Sequence, residues 1–211
     1  MSVLYRARPE DGLAWVTGAS SGIGRGTALE LARRGFRVLA TARSEEALNG
    51  LVREADSLKG SIIARTVDVT DAALQKQVID DVEAQEGPIV LAFLNAGIYW
   101  PMRAHPFDAV SFKKIFDVNV GGVVNGLEVL FDRMAARGRG QIAINASVAG
   151  YIGLPRAAAY SSSKAALIVM AESLKIETDA LGITLQVVNP GFVKTPLTDK
   201  NDHPMPFLIC L

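Results

Sequence analysis

Six apolar runs alternate along the chain with stretches of helical period. This alternation is typical of βαβ units around a parallel sheet, because strands that helices cover on both faces are apolar throughout. The sequence therefore predicts an α/β fold, with a doubly wound parallel sheet between two layers of helices. The predicted strands are residues 13–17, 37–41, 61–67, 90–94, 141–145 and 184–188. The predicted helices are residues 22–34, 45–57, 71–86, a pair within 107–134, and 157–181.

The length and charge of the chain narrow the classes of function. Its 211 residues predict a single domain, residues 1–211, because two full domains would need a longer chain. The 22 basic and 22 acidic residues cancel to zero net charge, which offers no attraction to nucleic acid or to an anionic membrane. No apolar run reaches the roughly 18 residues of a membrane span, and the first residues lack the apolar centre of a signal peptide. We therefore expect no nucleic-acid or membrane partner.

Thiol and imidazole groups are few and scattered. Cys210 is the single cysteine, and His105 and His203 are the two histidines. A lone cysteine forms no internal disulfide, and the three groups lack the spacing of a zinc site. We expect a cytoplasmic protein, in a reducing compartment, with metal-free chemistry.

A glycine-rich turn follows the first predicted strand and precedes the first predicted helix. Gly18, Gly22 and Gly24 have the spacing Gly-x-x-x-Gly-x-Gly, which differs from the Gly-x-Gly-x-x-Gly of the common dinucleotide fingerprint. Glycines let the backbone turn sharply beside a pyrophosphate, whose charge the start of the next helix attracts. This context favours a nucleotide site over an ordinary loop. The other residues of this turn predicted to bind the cofactor are Ser20, Ser21 and Ile23.

The end of the second predicted strand indicates which nicotinamide cofactor binds. A carboxylate about twenty residues after the glycines would bind the adenosine ribose and favour NAD. Here the strand leads to Arg43 without an acid, and its planar cation suits a ribose 2′-phosphate. We therefore predict NADP, with NAD disfavoured, and Ser20, Ser21 and Arg25 as further groups near the phosphate. The alternative is that Arg43 is a solvated surface arginine.

Tyr160 and Lys164 lie four residues apart in a predicted helix and so share one face. A free phenol has a pKa near 10, and a neighbouring ammonium lowers it. Lys164 is thus predicted to activate Tyr160 as a general acid and base. Ser147 directly follows the fifth predicted strand, at the edge where open α/β sheets bind ligands, and its hydroxyl is predicted to hold the substrate oxygen. Taken alone, this spacing occurs in any helix, and a surface pair is its more frequent explanation.

Together these motifs resemble the short-chain dehydrogenase/reductase family over nearly the whole chain, from Leu13 to about Thr195. The glycine turn matches the family signature Thr-Gly-x-x-x-Gly-Ile-Gly, and residues 95–97 match its Asn-Ala-Gly motif. The resemblance implies a Rossmann-like three-layer α/β/α fold with a shortened C-terminal part. It also implies an NADP-dependent oxidoreductase that interconverts a secondary alcohol and a ketone, or an alcohol and an aldehyde. The implied catalytic residues are Asn119, Ser147, Tyr160 and Lys164.

The resemblance assigns further roles to single residues. Asn119 would hold a water linked to Lys164, and Lys164 would also bind the nicotinamide ribose. Asp68 would contact the adenine, with a turn or cap residue as the alternative, and Asn95 would steady the central sheet. Thr195 would contact the nicotinamide carboxamide. The remaining implied cofactor-binding residues are Val69, Ala96, Gly97, Pro190, Gly191 and Val193.

Apolar side chains after strands and motif turns are candidates for a substrate pocket, although they could equally be loop packing. They are Tyr99, Trp100, Met102, Tyr151, Ile152, Leu154 and Phe192. With little positive charge predicted beside them, we expect a small neutral carbonyl compound or alcohol as substrate. Arg103, Arg156 and Lys194 are the cations that could instead recruit an anion.

The apolar C-terminal residues and the long helices are candidates for subunit contacts, and the C-terminal residues also for a lid over the substrate pocket. Residues 205–211 are apolar and need a cover, as a lid over the pocket, as a subunit contact, or as the remnant of a shortened reading frame. By the resemblance, residues 107–134 and 157–181 would form the contacts of a homo-oligomer, a dimer or tetramer. The alternative function is an NADP(H)-binding protein without useful turnover, because a shortened end leaves the substrate uncovered.

Overall fold

The predicted fold class is confirmed: the protein has a six-stranded parallel sheet with helices on both faces. The computed structural model describes residues 4–200, so the apolar stretch 205–211 lies outside the described residues. The strands are β1 (Leu13–Thr17), β2 (Arg37–Ala42), β3 (Ser61–Thr66), β4 (Ile89–Leu94), β5 (Gly140–Asn145) and β6 (Ile183–Val188). Their order in the sheet is β3-β2-β1-β4-β5-β6, and every neighbouring pair is parallel.

The helices follow the predicted pattern, with small differences at their ends. They are α1 (Gly22–Arg33), α2 (Glu45–Ala55), α3 (Ala72–Glu86), α4 (Ala109–Phe116), α5 (Gly122–Arg137) and α6 (Ala158–Ala180). The predicted pair within 107–134 comprises α4 and α5, which a π-helical segment, Asp117–Gly121, joins without a break. None of the helices within residues 4–200 is both long and apolar enough to cross a membrane.

Short polar side chains determine where several helices begin. Ser44, Asp71 and Asp108 precede α2, α3 and α4, and each side chain accepts a hydrogen bond from a backbone N–H of the first turn. Such caps satisfy donors that have no partner inside the helix, and each stabilises by about 1 kcal/mol. The start of each of these three helices is therefore encoded by the side chain before it.

The two faces of the sheet carry two separate cores. Leu13 and Trp15 of β1 pack with residues of α3, α5 and α6, whereas Ala14 and Val16 pack with residues of α1 and α2. Because successive side chains of a strand point to opposite faces, an unbroken apolar run serves both cores. The indole N–H of the buried Trp15 donates to Thr41 Oγ1 at 3.0 Å, so that its one polar atom is satisfied.

The strand order creates a crevice at the carboxyl edge of the sheet. From β1 the chain proceeds outward to β2 and β3, then returns to β4 on the other side of β1 and proceeds to β5 and β6. The connections after β1 and β4 therefore diverge, and such a switch point is where open α/β sheets bind ligands. The glycine turn after β1 and residues 95–97 after β4 both lie there.

The glycine turn requires residues without a side chain. Gly18 and Gly22 have φ angles of +66° and +52°, which disfavour other residues. A Cβ on Gly18 would lie 2.8 Å from the Cα of Ala96, and one on Gly24 would overlap the Gly18 carbonyl oxygen and the Asn95 side-chain amide. The turn and the loop after β4 are thus in direct backbone contact.

Replacing Gly24 by alanine tests this packing. Within a helix, Gly→Ala normally stabilises by about 0.5–1 kcal/mol. For Gly24→Ala we expect the opposite, a loss of about 1–3 kcal/mol, because the new methyl group must displace the carbonyl oxygen of Gly18. Urea denaturation of both proteins gives the difference in the free energy of unfolding.

The matched control is Gly50→Ala, also inside a helix, where an added Cβ would meet only the end of the Arg53 side chain at 3.8 Å. This variant is expected to be more stable than the wild type. Equal stabilisation by the two substitutions would contradict close contact at Gly24.

Candidate active site

A cavity of about 330 Å³ lies at the crevice between β1 and β4. It brings together most of the residues predicted to bind the cofactor. Those that line it are Gly18, Ser20, Ser21, Ile23, Arg43, Asp68, Val69, Asn95, Ala96, Gly97, Tyr160, Lys164 and Thr195. Gly22 and Gly24 shape the turn behind this lining, and Gly22 faces Thr195, since a Cβ there would lie 2.9 Å from the threonine methyl group.

Asn95 connects the cavity wall to the sheet. Its Nδ2 donates to the Thr17 carbonyl at 2.9 Å, and its Oδ1 accepts from Asn145 Nδ2 at 2.9 Å. Its backbone N–H donates to Thr17 Oγ1, also at 2.9 Å. One side chain therefore joins the ends of β1, β4 and β5, which is the geometry expected of a residue that steadies the central sheet.

Arg43 and Asp68 lie at the β2 and β3 side of the cavity. Arg43 is exposed and follows β2 directly. Burial acts to raise the pKa of Asp68, but hydrogen bonds from Thr70 and the nearby charge of Arg43 hold that pKa below its ordinary value. The Asp68 carboxylate accepts from both the backbone N–H and the hydroxyl of Thr70, so it supports its own turn while it faces the cavity.

Arg25 is expected near the phosphate together with Ser20 and Ser21, and the structure gives it a different partner. Its guanidinium forms an ion pair with Glu54 of α2, and Arg25 does not line the cavity. The reason is local, because Arg25 on α1 faces the neighbouring helix α2 and finds a carboxylate there. The two serines of the turn do line the cavity.

Tyr160 lines both this cavity and a smaller one beside it, and Ser147 lines the smaller one. They share a hydrogen bond, and Tyr99 packs edge-on against the Tyr160 ring with centroids 5.3 Å apart. Burial raises the pKa of Tyr160, the Ser147 hydrogen bond lowers it, and the neighbouring Tyr99 raises it further. The net direction is upward, opposite to the lowering expected from Lys164, so the phenol is protonated at neutral pH.

Lys164 explains this difference. Its Nζ is buried, lies 5.7 Å from the centre of the Tyr160 ring, and donates to the Asn145 carbonyl at 2.6 Å. Its ammonium is therefore directed to a main-chain oxygen instead of the phenol. Burial also lowers the pKa of Lys164 to about 8. Because this value still lies above 7, the amine is protonated in most molecules at pH 7.

Asn119 is wholly buried in the π-helical segment between α4 and α5. Its Nδ2 donates to the Ile98 carbonyl at 3.1 Å and to Ser163 Oγ at 3.0 Å, and its Oδ1 accepts from the Ile98 backbone N–H at 2.8 Å. Ser163 in turn donates to the Tyr160 carbonyl. Both amide donors of Asn119 are thus used within the protein, and its implied hold on a water beside Lys164 stays a prediction.

A smaller cavity of about 60 Å³ adjoins Tyr160 and Ser147. Three of the predicted pocket residues, Tyr99, Leu154 and Phe192, line it. The rest of its lining, which the sequence did not single out for this role, is Val148, Ala149, Ala157, Gly191, Leu197 and Thr198.

Four other candidates for the substrate pocket do not line this cavity, and for two of them the structure favours the alternative, loop packing. Trp100 and Met102 pack in a separate cluster with Ile115 of α4. Tyr151 and Ile152 are 64% and 72% exposed. Hydrophobicity alone does not distinguish these environments from the wall of a pocket.

The turn after β6 is divided between several environments. Thr195 lines the large cavity and Gly191 the small one. Pro190 and Val193 line neither; the Pro190 carbonyl accepts from the Val148 backbone N–H, and the Val193 carbonyl accepts from the Thr198 hydroxyl. For these two residues the structure shows a role in holding the turn, and cofactor contact stays a prediction.

The large cavity also has lining residues that sequence reasoning missed. They are Ala42, Val67, Ile98, Val118, Asn145, Pro196 and Leu197. Most are apolar and carry no chemical signal. Asn145 could have been found, because a polar residue that ends an apolar strand at the carboxyl edge stands where ligands bind.

The chemistry of the large cavity fits a nicotinamide dinucleotide. A cation, Arg43, lies at the β2 end, the glycine turn and the start of α1 lie at its centre, and the Tyr160 hydroxyl and Lys164 ammonium lie beside β5. These groups suit phosphate oxygens at one end and ribose hydroxyls at the other. Among the described residues, no cluster of His, Cys, Asp and Glu side chains has the arrangement of a metal site.

Comparison with known proteins gives consistent results. The family model described as short chain dehydrogenase matches residues 13–205. An uncharacterized oxidoreductase of Myxococcus xanthus is 40% identical over 93% of this chain and 78% of its own length. A 3-oxoacyl-acyl-carrier-protein reductase of Thermotoga maritima is 34% identical over 92% of this chain and 78% of its own. A solved structure of an actinorhodin polyketide ketoreductase variant with NADPH is 29% identical, with a TM-score of 0.86, over 94% of this chain and 80% of that one.

The buried Lys164 predicts how stability depends on pH. Its pKa in the folded protein, about 8, lies below the roughly 10.4 of a lysine in the unfolded chain. The buried charge therefore destabilises the folded state, and this penalty has its full size below about pH 8. This penalty falls as the pH rises toward 10. Replacing Lys164 by methionine removes it, and we expect the variant to gain about 1–3 kcal/mol in free energy of unfolding at pH 7, and less at pH 10.

Urea denaturation at the two pH values measures this difference. Lys175→Met is the control, because Lys175 is an exposed lysine of the same helix, paired with Asp179. Its effect should be within about 0.5 kcal/mol at both pH values. A Lys164→Met effect that is the same at pH 7 and pH 10 would contradict a depressed pKa.

Proposed function

We propose that this chain, which belongs to the short chain dehydrogenase family, interconverts a secondary alcohol and a ketone, or an alcohol and an aldehyde, with NADP. Members of the family are NAD(P)-dependent oxidoreductases that act on alcohol or carbonyl groups. The observation that carries the proposal is that Tyr160 lines both cavities, with Lys164 in the large one and its hydrogen-bond partner Ser147 in the small one. A substrate in the small cavity would thus lie beside the reactive end of a dinucleotide in the large one.

Arg43 supports the choice of NADP over NAD. It lines the cavity at the end of β2, where no carboxylate stands to bind the ribose hydroxyls. The actinorhodin polyketide ketoreductase, which has a similar fold, is described with NADPH. When bound, the nicotinamide supplies a hydride to a carbonyl carbon or accepts one from an alcohol carbon.

The side chains of this protein would handle the substrate oxygen and its proton. The hydroxyl groups of Ser147 and Tyr160, already within hydrogen-bonding distance of each other, can both donate to a carbonyl oxygen between them. Tyr160 then delivers its proton to the oxygen as negative charge develops there. Because burial raises its pKa, the phenol carries that proton at neutral pH and is poised for the reductive direction.

Lys164 would act on the phenolate that remains. Its ammonium, held by the Asn145 carbonyl, supplies a buried positive charge on the same helix face as Tyr160. In the oxidative direction, the same charge favours loss of the phenol proton, so that Tyr160 can accept the alcohol proton. The role predicted for Lys164 therefore applies to the reacting complex, in which the ligand changes the surroundings of both groups.

The small cavity favours a small, neutral substrate. Its lining is mostly apolar, and Arg103, Arg156 and Lys194, the cations considered for an anionic substrate, line neither of the two cavities. The Thermotoga maritima relative is named as a reductase of a 3-oxoacyl group, and the actinorhodin protein as a ketoreductase. Both names support a ketone as the group reduced.

We also retain the predictions of one domain, a cytoplasmic location and a homo-oligomer, either a dimer or a tetramer. The oligomer has some support from apolar side chains on the long helices. Val124 of α5 is 45% exposed, and Val169 and Ile176 of α6 are 60% and 82% exposed. Exposed apolar side chains mark a subunit contact where they form one contiguous patch.

Tyr160→Phe tests the proposed mechanism. The substitution keeps the ring and its contact with Tyr99 but removes the proton that the reaction needs. We expect turnover of ketones with NADPH to fall by about a hundredfold or more, with NADPH affinity within about threefold. Loss of the hydrogen bond with Ser147 should lower the free energy of unfolding by only about 1 kcal/mol. Tyr151→Phe is the control, because Tyr151 is exposed outside both cavities, and it should retain full turnover.

Two results would contradict the proposal. Wild-type turnover by Tyr160→Phe would exclude this tyrosine as the acid. NADPH binding by the wild-type protein, without turnover of a broad panel of ketones, aldehydes and alcohols, would favour a cofactor-binding protein that is not an enzyme.

Arg43→Asp tests the cofactor choice. A carboxylate repels the 2′-phosphate of NADPH and offers hydrogen bonds to the ribose hydroxyls of NADH. We expect the ratio of NADPH to NADH affinity to fall by roughly ten- to a hundredfold, as for loss of one charge-assisted contact. Arg103→Asp is the control, since Arg103 is exposed and outside both cavities. An unchanged ratio in Arg43→Asp would remove Arg43 from the phosphate site.

A further inference from the structure

Asn145 occupies the centre of the site, although no motif singles it out. It is the last residue of β5 and is 8% exposed. Its main-chain carbonyl accepts a hydrogen bond from Lys164 Nζ at 2.6 Å. Asn145 also lines the large cavity, together with Tyr160 and Lys164. Asn145 thus touches the catalytic lysine through its backbone and has a side chain left for another purpose.

The orientation of the Asn145 amide follows from its neighbours. Asn95 must direct its NH₂ group at the carbonyl oxygen of Thr17, because only a donor can face an acceptor there. That leaves Asn95 Oδ1 facing Asn145, which can satisfy it only with its own NH₂ group, at 2.9 Å. The network therefore determines which end of Asn145 is oxygen.

The oxygen of this amide has no hydrogen-bond partner among the described residues. Asn145 Oδ1 is completely buried, and a buried carbonyl without a donor is destabilising. The other buried polar atoms without a partner in this part of the chain belong to Gln75, Arg137 and Asn189, none of which lines the cavity. Asn145 is therefore the one of these four residues that belongs to the cavity lining.

We propose that Asn145 is a cofactor-binding residue, whose side-chain oxygen accepts a hydrogen bond from the nicotinamide half of the dinucleotide. This inference rests on the proposed NADP site. The nicotinamide half is favoured because Asn145 shares the cavity wall with Tyr160 and Lys164 beside β5, whereas Arg43 lies at the opposite end beside β2. That half of the dinucleotide carries two kinds of donor, the ribose hydroxyls and the carboxamide N–H.

The test compares NADPH with a fragment that lacks the nicotinamide half. Titration calorimetry measures the affinity of wild-type protein and Asn145→Ala for NADPH and for 2′,5′-ADP. The substitution leaves the main-chain carbonyl that holds Lys164 in place. We expect Asn145→Ala to weaken NADPH binding about five- to tenfold, as for one hydrogen bond, and to change 2′,5′-ADP binding less than twofold.

The fragment also controls for damage to the glycine turn. Loss of the hydrogen bond to Asn95 could loosen that turn. A loosened turn would lower the affinity for both NADPH and 2′,5′-ADP, because both ligands place a phosphate near it. Equal weakening of the two, or no change in NADPH affinity, would overturn the inference. Wild-type protein that binds neither ligand would instead overturn the proposed function. A second variant, Asn145→Leu, fills the volume of the amide and should give the same selective loss.

A third ligand identifies the donor. In the 3-acetylpyridine analogue of NADP, a methyl group replaces the carboxamide NH₂. If the carboxamide is the donor, wild type and Asn145→Ala differ in affinity for NADP but bind this analogue equally well. If a ribose hydroxyl is the donor, the difference persists. Either result supports the contact, and the absence of any difference with NADP itself would contradict it.

Discussion

The hydrogen bonds between the ends of β1, β4 and β5 are the constraint on which the site depends. Asn95 donates to Thr17 and accepts from Asn145, and Asn145 accepts from Lys164. Parallel strands bring their carboxyl ends to one edge but leave the loops beyond them free to diverge. These hydrogen bonds fix the glycine turn, the cavity wall and Lys164 relative to one another, and Lys164 is the one charged group among them.

The price of that arrangement is a buried charge and a phenol with raised pKa. Lys164 keeps its ammonium in a site where burial lowers its pKa to about 8, and Tyr160 is protonated because burial outweighs the Ser147 hydrogen bond. In both groups, burial disfavours the charged form of the side chain. In the proposed mechanism, both groups act on a ligand that brings hydroxyl groups and a carbonyl oxygen, and sites of this kind trade stability for activity.

Much of the fold follows from the sequence, because its signals are local. Apolar runs fully buried on both faces, such as Leu13–Thr17, identify strands, and the motif residues Tyr160 and Lys164 fall on one helix face by spacing alone. What the sequence could not show is the direction of loop side chains. Ile152, at 72% exposure, and the ion pair of Arg25 with Glu54 depend on tertiary contacts. The role of Asn145 depends likewise on two strands that are distant in the chain.

The most direct test of the account is a crystal structure of the protein with NADP⁺. The account predicts that the dinucleotide spans the carboxyl edge of the sheet, with its 2′-phosphate beside Arg43 and its nicotinamide ribose beside Tyr160 and Lys164. A dinucleotide bound elsewhere, or a Tyr160 hydroxyl that points away from the nicotinamide ring, would contradict it.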